Sequence, residues 1–384
     1  MRQSRYIFFV LILIIFVSGS VKCQTIDTLV DVGGYRLHFH IIKGKGTPIL
    51  FEAGGGDDAT TWKNILKPIS DITQTTLIAY DRTGFGKSTF DSAKHGILNG
   101  MIGLETGLRK LGYDGNIILV AHSQGGLYAT LYASRHPDKV KAAVLIDATT
   151  SCFYEENRLV ATQRMIDGQI NTSKKINPGS YYQGADFTSN IRFMRNVVFP
   201  KNIAVTDFVS EYPPFADKKD TLDWKNCHRE FAHTSPNCTG ITAYGCGHFI
   251  FEDNPPLIIN SISKVYASTL NGIHSNEVMK RGLDYSISAA NERSKQEIAF
   301  RHSENDLNGW GYALMQQGDM QKALEVFKLN VELNPASWNV YDSYGEALLK
   351  DGQKENAAKM YQKSVELNPN NENGKKVLEQ ISKQ

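Results

Sequence analysis

The feature that most constrains the fold of this 384-residue chain is a regular alternation of apolar runs with amphipathic stretches. Residues 77–80, 116–120 and 141–146 are short apolar runs typical of buried strands, whereas residues 97–111 and 125–135 have helical periodicity. Strands that are connected through helices lie parallel in a sheet, and the helices cover both of its faces. The sequence therefore predicts an α/β fold with a mostly parallel sheet flanked by helices.

The alternation follows a hairpin and is interrupted once. Strand-like alternation on either side of Gly33-Gly34 predicts the hairpin. Residues 152–200 are polar and carry no strand pattern, and an insertion of this length between strands typically forms a small cap over a site. Strand patterns resume at residues 203–209 and 241–244, and a helix is predicted over residues 256–270.

A serine occupies the turn between one predicted strand and the helix that follows it. The motif LVAHSQGG, which starts at Leu119, completes the strand and opens the helix, with Ser123 at the turn. Such a turn, a nucleophile elbow, needs small residues two positions before and after the serine, and Ala121 and Gly125 meet this need. We therefore predict that Ser123 is a nucleophile, which requires a base to remove its proton.

Over about residues 25–275 the chain resembles the α/β-hydrolase superfamily. FEAGGG at residues 51–56 stands where that family has its oxyanion loop, and AYDRTGFGKS at residues 79–88 is similar to its D-x-x-G-x-G-x-S segment. GCGHFIFEDNP at residues 245–255 is similar to its GH…P segment before the last helix. The elbow departs mildly from G-x-S-x-G, since Ala121 replaces the first glycine. The resemblance implies the α/β-hydrolase fold and serine hydrolysis, but no particular substrate.

The resemblance also implies roles for individual residues. His248 follows Ser123 in the chain and lies after the last predicted strand, so we expect it to be the general base. The oxyanion needs two N–H donors, and we expect them from the backbones of Gln124 and Gly55.

The acid of the triad is left open by the sequence. The family usually places it in a G-x-x-D turn after the strand that precedes the histidine segment, and no such turn occurs here. That stretch offers Asp207, Glu211 and Asp217, whereas Asp147 ends the strand KAAVLID, a position that a minority of the family uses. We favour Asp147, with Glu211 and Asp217 as the alternatives.

The first 23 residues predict a signal peptide. Arg2 and Arg5 precede a run of twelve apolar residues, which small and polar residues then follow. Twelve residues span only about 18 Å as a helix, short of the roughly 30 Å of a bilayer core. Export to the periplasm or the medium is therefore favoured over a membrane anchor, whether a span or a lipid on Cys23.

Four cysteines remain after removal of the first 23 residues, and an exported protein is expected to pair them. Because Cys227 and Cys238 are close in sequence, we expect them to pair with each other and Cys152 to pair with Cys246. Other pairings, and free thiols, stay open at this point. No CxxC or HxxxH spacing marks a metal site, and acyl transfer by a serine needs no cofactor.

The last hundred residues carry a 34-residue period. Gly311, Ala323 and Pro335 recur as Gly345, Ala357 and Pro369, and ELNP occurs twice at the same offset. This pattern resembles tetratricopeptide repeats. We expect a linker helix over residues 276–302 and an all-α domain over residues 303–384, with two repeats and a capping helix. The repeats are expected to mediate self-association or to bind a protein partner.

Together these features predict an exported carboxylesterase-like hydrolase that cleaves a small-molecule ester, or a lactone, through an acyl-enzyme on Ser123. The domain expected to do so covers residues 24–275. Two alternatives stay open: a peptide-binding repeat protein whose hydrolase fold is a non-catalytic scaffold, and a serine aminopeptidase with Glu155 and Glu156 as anchors of the substrate amine. A net charge of +2 without a basic stripe excludes nucleic acid as an expected partner.

Overall fold

The computed structural model describes residues 24–170, 177–295 and 303–382. The predicted signal peptide and Cys23 lie outside these residues. In the part of the chain that is described, no helix has the length and apolar character needed to cross a bilayer.

The described residues form one sheet of eight strands. These are β1 (Thr25–Asp31), β2 (Arg36–Ile42), β3 (Ile49–Glu52), β4 (Leu77–Asp81), β5 (Ile117–His122), β6 (Val140–Ile146), β7 (Ala204–Tyr212) and β8 (Cys238–Gly247). Their order across the sheet is β1-β2-β4-β3-β5-β6-β7-β8. Strand β2 pairs antiparallel with β1 and β4, and all other pairs are parallel. The sheet is thus mostly parallel, as the alternation of patterns predicted.

Helices cover both faces of the sheet. Consecutive residues of a strand point to opposite faces, so an unbroken apolar strand presents apolar side chains on both faces that must be buried. Outside the cap, this part of the fold contains a 3-10 turn (Ala59–Trp62) and the helices α1 (Lys63–Thr73), α2 (Ile97–Leu111), α3 (Gly125–Arg135), α7 (Lys218–Thr234), α8 (Ile250–Asp253) and α9 (Pro255–Ala267). Leu119 of β5 packs in the core beneath α2 and α3, whereas its neighbour Val120 packs in the core beneath α1 and α9. The sequence patterns had not predicted α1 and α7, and α1 contains Pro68 in its interior.

The segment predicted as a cap is helical. Between β6 and β7 the chain forms α4 (Glu156–Ile170), α5 (Pro178–Ala185) and α6 (Phe187–Met194). Because the loops at the carboxyl ends of parallel strands meet at one edge of the sheet, this insertion enters the fold beside the elbow at the end of β5.

After α9, the described residues form a series of helices. They form α10 (Gly272–Lys295), α11 (Glu304–Gln316), α12 (Met320–Leu333), α13 (Trp338–Lys350), α14 (Lys354–Leu367) and α15 (Glu372–Ser382). The predicted repeats correspond to the pairs α11–α12 and α13–α14, followed by α15. Helix α10 joins the two cores, because Val278 packs with the sheet domain and Leu283 and Ile287 pack with the repeats.

The predicted cysteine pairing is wrong. Cys152, just before the cap, is bonded to Cys227 in α7, and neither Cys238 nor Cys246 forms a disulfide within the described residues. Cys246 is fully buried in the core on the opposite face of the sheet, so it cannot reach Cys152. Proximity in sequence misled the prediction for Cys227, because Cys227 lies within a helix and Cys238 begins the next strand.

Candidate active site

Ser123 lies on a strained turn between β5 and α3. Its φ angle is +50°, in the left-handed region that a residue with a side chain rarely adopts. A side chain on Gly125 would overlap the backbone carbonyls of Glu52 and Ala53, so glycine is needed two positions after the serine. This is the geometry of a nucleophile elbow, and it presents Ser123 at the carboxyl edge of the sheet.

The base and the favoured acid meet in the structure. His248 follows β8, and its Nδ1 lies 2.7 Å from Oδ2 of Asp147, which directly follows β6 and is fully buried. The alternatives lie elsewhere. Glu211 accepts a hydrogen bond from the Gly245 backbone N–H at 2.6 Å, and Asp217 caps the amino end of α7. Of these candidates, Asp147 is the one whose carboxylate is hydrogen-bonded to the imidazole of His248.

A third open candidate, Asp207, is also occupied. Its Oδ2 lies 2.8 Å from Nδ1 of His228, and both side chains are buried. Asp207 therefore belongs to a second buried pair and not to His248.

Three further donors surround the Asp147 carboxylate. Oδ1 accepts hydrogen bonds from the Ser210 backbone N–H and from Nε1 of Trp224, each at 2.9 Å, and Oδ2 accepts one from the Ser210 hydroxyl at 2.9 Å. Burial alone would raise the pKa of Asp147, but the hydrogen bond and charge of His248 hold this pKa below its usual value. A carboxylate that stays ionised accepts a hydrogen bond from Nδ1–H of His248, and this leaves Nε2 without a proton and able to act as a base.

Ser210 and Trp224 are functional candidates that the sequence analysis missed. They lie on β7 and α7, outside every motif segment, and neither neighbours Asp147 in the chain. No signal in a single sequence would have identified them, because their contact with Asp147 exists only after the strands pair.

His122 supports the loop that carries His248. Its Nε2 donates to the backbone carbonyl of His248 at 3.1 Å, and the two rings lie with their centroids 4.6 Å apart. Burial, together with the nearby His248, lowers the pKa of His122 to about 3, so its imidazole is neutral in ordinary buffers. His122 therefore has a local structural contact.

The glycine loop after β3 lies against the residue that follows Ser123. The position that a side chain on Gly55 would take is occupied by the side-chain amide of Gln124, so the glycine loop packs directly against the residue after Ser123. Arg82 holds the other side of this loop, since its guanidinium donates to the carbonyl of Ala53 at 2.7 Å and to the carbonyl of Gly54.

The contact of Arg82 with Gly54 determines where the Gly55 N–H points. In a trans peptide the C=O and N–H groups point in opposite directions, and the described residues contain no cis peptide bond. Since the Gly54 carbonyl faces Arg82, the Gly55 N–H of the same peptide faces away from Arg82. Arg82 thus orients this peptide, and the segment at residues 79–88 packs beside the glycine loop.

Arg82 is itself held in a buried polar cluster. Its Nη1 lies 3.7 Å from Oε2 of Glu52, whose carboxylate also accepts a hydrogen bond from the hydroxyl of Tyr80 at 2.9 Å. Burial raises the pKa of Glu52 to about 7, despite the opposing charge of Arg82. The guanidinium also lies over the ring of Tyr128, with Cζ 5.0 Å from the ring centroid.

An apolar cavity of about 320 Å³ lies between α3 and α7, beside the disulfide. Leu127, Met194 and Phe231 are among the residues that line it, but Ser123 and His248 are not. Gly126 and Ala148, which both line the cavity, pack tightly, since a side chain on Gly126 would lie 2.6 Å from Cβ of Ala148. The cavity is therefore separate from the candidate active site.

In the described residues, no three His, Cys, Asp or Glu side chains form a group that could hold a metal ion. Ser123 on its strained elbow, together with His248 on the buried Asp147, supplies the side chains that acyl transfer by a serine requires.

Comparison with known families agrees with this architecture. Residues 47–177 match the family described as alpha/beta hydrolase fold, and residues 339–371 match the tetratricopeptide repeat.

Three similar curated proteins come from different organisms. The uncharacterized protein YqjL of Bacillus subtilis is 24% identical over 252 residues, which are 64% of this chain and 94% of that protein. A cis-3-alkyl-4-alkyloxetan-2-one decarboxylase of Shewanella oneidensis is 23% identical over 62% of this chain and 86% of its own length. A (lyso)-N-acylphosphatidylethanolamine lipase of Bos taurus is 35% identical over 26% of this chain and 30% of its own length.

Among solved structures, a thermophilic esterase from Thermogutta terrifontis aligns with a TM-score of 0.47 and 17% identity. This alignment covers 62% of the chain and 96% of the esterase.

Proposed function

We propose that this protein, an α/β hydrolase with tetratricopeptide repeats in its carboxyl-terminal region, is an exported serine hydrolase that cleaves a carboxylic ester or a lactone. The observation that carries the proposal is the hydrogen bond between His248 and the buried Asp147, beside a serine on a strained elbow. A fold that served only as a scaffold would have no physical need for a buried, ionised carboxylate on this histidine.

The proposed reaction has two halves. In the first, Oγ of Ser123 attacks the ester carbonyl while Nε2 of His248 takes the hydroxyl proton, and the N–H groups of Gln124 and Gly55 stabilise the oxyanion. Collapse of the tetrahedral intermediate breaks the bond to the alcohol, which leaves with the proton from His248. In the second half, His248 takes a proton from water as the water oxygen attacks the acyl carbonyl. It returns this proton to Oγ of Ser123 when the ester bond to Ser123 breaks and the acid leaves.

The names of two relatives support an ester or lactone as the substrate class. One is a lipase, and the other is named for an oxetan-2-one, which is a four-membered lactone. In a lactone the alcohol and the acid belong to one molecule, so the same two steps open the ring.

The aminopeptidase alternative loses support from the cap. Glu156 forms ion pairs with Arg192 and with Arg195, at 2.9 Å for Arg195, so its charge is already neutralised. Glu156 is therefore a poor anchor for a substrate amine.

Export rests on two features of different kinds. The signal peptide is a sequence prediction for residues outside the described ranges, whereas the bond between Cys152 and Cys227 is typical of an oxidising compartment. For the repeats we propose self-association or a protein partner, and light scattering on the full chain would distinguish a monomer from an oligomer.

The test of the hydrolase proposal uses p-nitrophenyl esters of C2 to C12 acids and a fluorophosphonate probe. We expect turnover and labelling by the native protein, and loss of both in Ser123→Ala. Asp147→Asn should reduce kcat by about 10⁴-fold, because the histidine would adopt the wrong tautomer. Glu211→Gln and Asp217→Asn are matched controls and should keep near-native turnover. A native protein that neither labels nor hydrolyses any ester would contradict the proposal.

A further inference from the structure

One cap helix, α5, contacts both loops that flank the oxyanion site. Near its start, the backbone N–H of Gly179 donates to the carbonyl of Gly84 at 3.3 Å. Near its end, Oε1 of Gln183 accepts a hydrogen bond from the backbone N–H of Gly56 at 2.9 Å, across 127 positions of sequence. The helix therefore connects the loop after β4 with the glycine loop after β3.

The first contact depends on the absence of side chains. A Cβ atom on Gly179 would lie 2.7 Å from the carbonyl oxygen of Gly84, and one on Gly84 would lie 2.6 Å from the nitrogen of Gly179. Atoms this close would overlap, so glycine on both sides is what allows α5 to sit directly on the loop. Gly84 also has a φ of +78°, which favours glycine independently.

The second contact completes the anchoring of the oxyanion loop. Arg82 holds the peptide between Gly54 and Gly55 through its carbonyl, and Gln183 holds the peptide between Gly55 and Gly56 through its N–H. The two peptides that flank Gly55, the expected oxyanion donor, are thus each held by a side chain, one through its C=O group and the other through its N–H group. Without Gln183, only one plane is held by a side chain, and a glycine has wide backbone freedom.

We propose that Gln183 is a positioning residue for the oxyanion hole, so that the hole is fully formed only when the cap helix α5 is seated on the glycine loop. This inference rests on the proposed function, because it assumes that Gly55 donates to an oxyanion on a substrate bound at Ser123. It gives the cap a role in the reaction beyond covering the site, since any substrate that displaces α5 also releases the donor loop.

The test compares two glutamine-to-methionine variants of the full chain. Gln183→Met keeps side-chain length but removes the acceptor for Gly56. Gln163→Met is the matched control, because within the described residues the Gln163 amide bonds to the cap alone, to the Gly184 carbonyl at 3.0 Å and to Asp167 and Thr188 at 2.8 Å.

The readouts separate positioning of the donor from support of the cap. For Gln183→Met we expect kcat on a p-nitrophenyl ester to fall roughly tenfold with little change in KM, since loss of a whole oxyanion donor typically lowers kcat by about 10²–10³-fold. The affinity for a trifluoromethyl ketone, which forms a tetrahedral adduct on Ser123, should fall by a similar factor. Equal effects in Gln163→Met, or a rise in KM alone, would assign Gln183 a merely structural role and overturn the proposal.

A measurement without turnover keeps the inference independent of the hydrolase proposal. Hydrogen–deuterium exchange of the peptide that contains Gly56 should be faster in Gln183→Met than in native protein and in Gln163→Met. Gln183→Glu keeps an oxygen acceptor at the same length and should restore slow exchange. Unchanged exchange in Gln183→Met would show that Gln183 does not hold the loop. Faster exchange in a protein that never labels with the fluorophosphonate would overturn only the catalytic role of both residues.

Discussion

Low pH should reduce the unfolding free energy of the sheet domain through His122, a residue that the proposed reaction does not use directly. His122 is fully buried, and its Nε2 donates to the His248 backbone carbonyl, so Nδ1 carries no proton in the neutral ring. No hydrogen-bond partner for Nδ1 lies among the described residues. Protonation of Nδ1 would place an unpaired charge in the core next to the loop that carries His248.

The sign and size of the effect follow from linkage. The pKa of His122 is about 3 in the folded protein and about 6.5 in the unfolded chain. A lowered pKa means that the stabilisation by neutral His122 is complete above pH 6.5 and is lost progressively as the pH falls toward 3. At about pH 4.5 the imidazole is protonated in the unfolded chain and neutral in the folded protein. This pH lies about two units below the pKa of the unfolded chain, and two units correspond to about 3 kcal/mol of unfolding free energy.

The assay is urea denaturation at about pH 7 and pH 4.5, in native protein and in His122→Gln. Glutamine keeps an N–H donor for the carbonyl but does not titrate, and all other groups cancel in the comparison. Replacing Trp310 and Trp338 of the repeats by phenylalanine leaves the fluorescence of Trp62 and Trp224 to report on the sheet domain. We expect native protein to lose about 3 kcal/mol more than the variant between the two pH values. Equal losses would refute the reasoning.

Three further predictions concern the supports of the site. Trp224→Phe keeps the aromatic packing but removes one hydrogen-bond donor to Asp147. On p-nitrophenyl butyrate we expect kcat to fall about five- to tenfold with little change in KM, since one such bond is worth about 1 kcal/mol. The bond between Cys152 and Cys227 closes a loop of 75 positions, which reduction or Cys152→Ser opens. In urea melts the unfolding free energy should then fall by about 4 kcal/mol, and an unchanged midpoint would contradict this. Arg82→Met should lower the affinity for a trifluoromethyl ketone at least as much as Gln183→Met does, because it frees two carbonyls of the oxyanion loop.

Much of the fold was predictable because it depends on contiguous residues. Strand and helix patterns from residue 77 to residue 146 matched β4, α2, β5, α3 and β6, since each is a single run with one period. The elbow at Ser123 and the 34-residue repeats are likewise local patterns. Helix α1 escaped prediction, because Pro68 in its interior argues against a helix when tertiary packing is not known.

The candidate site was predictable only in part. Ser123 and His248 lie in motifs, and their roles follow from motif context. The acid was a choice among carboxylates with similar claims, and the order β6-β7-β8 in the sheet sets Asp147, among those candidates, beside Ser210 and His248.

The sequence by itself determined the order of elements, the serine on its turn, the histidine in the loop after the last strand and the repeats, because each is encoded within a few neighbouring residues. Only the tertiary structure decided the partner of Cys152 and the orienting contacts of Arg82 and Gln183 on the glycine loop. Those contacts join residues that are tens of positions apart, and their distances depend on how the sheet and the cap close over the site. A single sequence specifies such distances only through the whole fold.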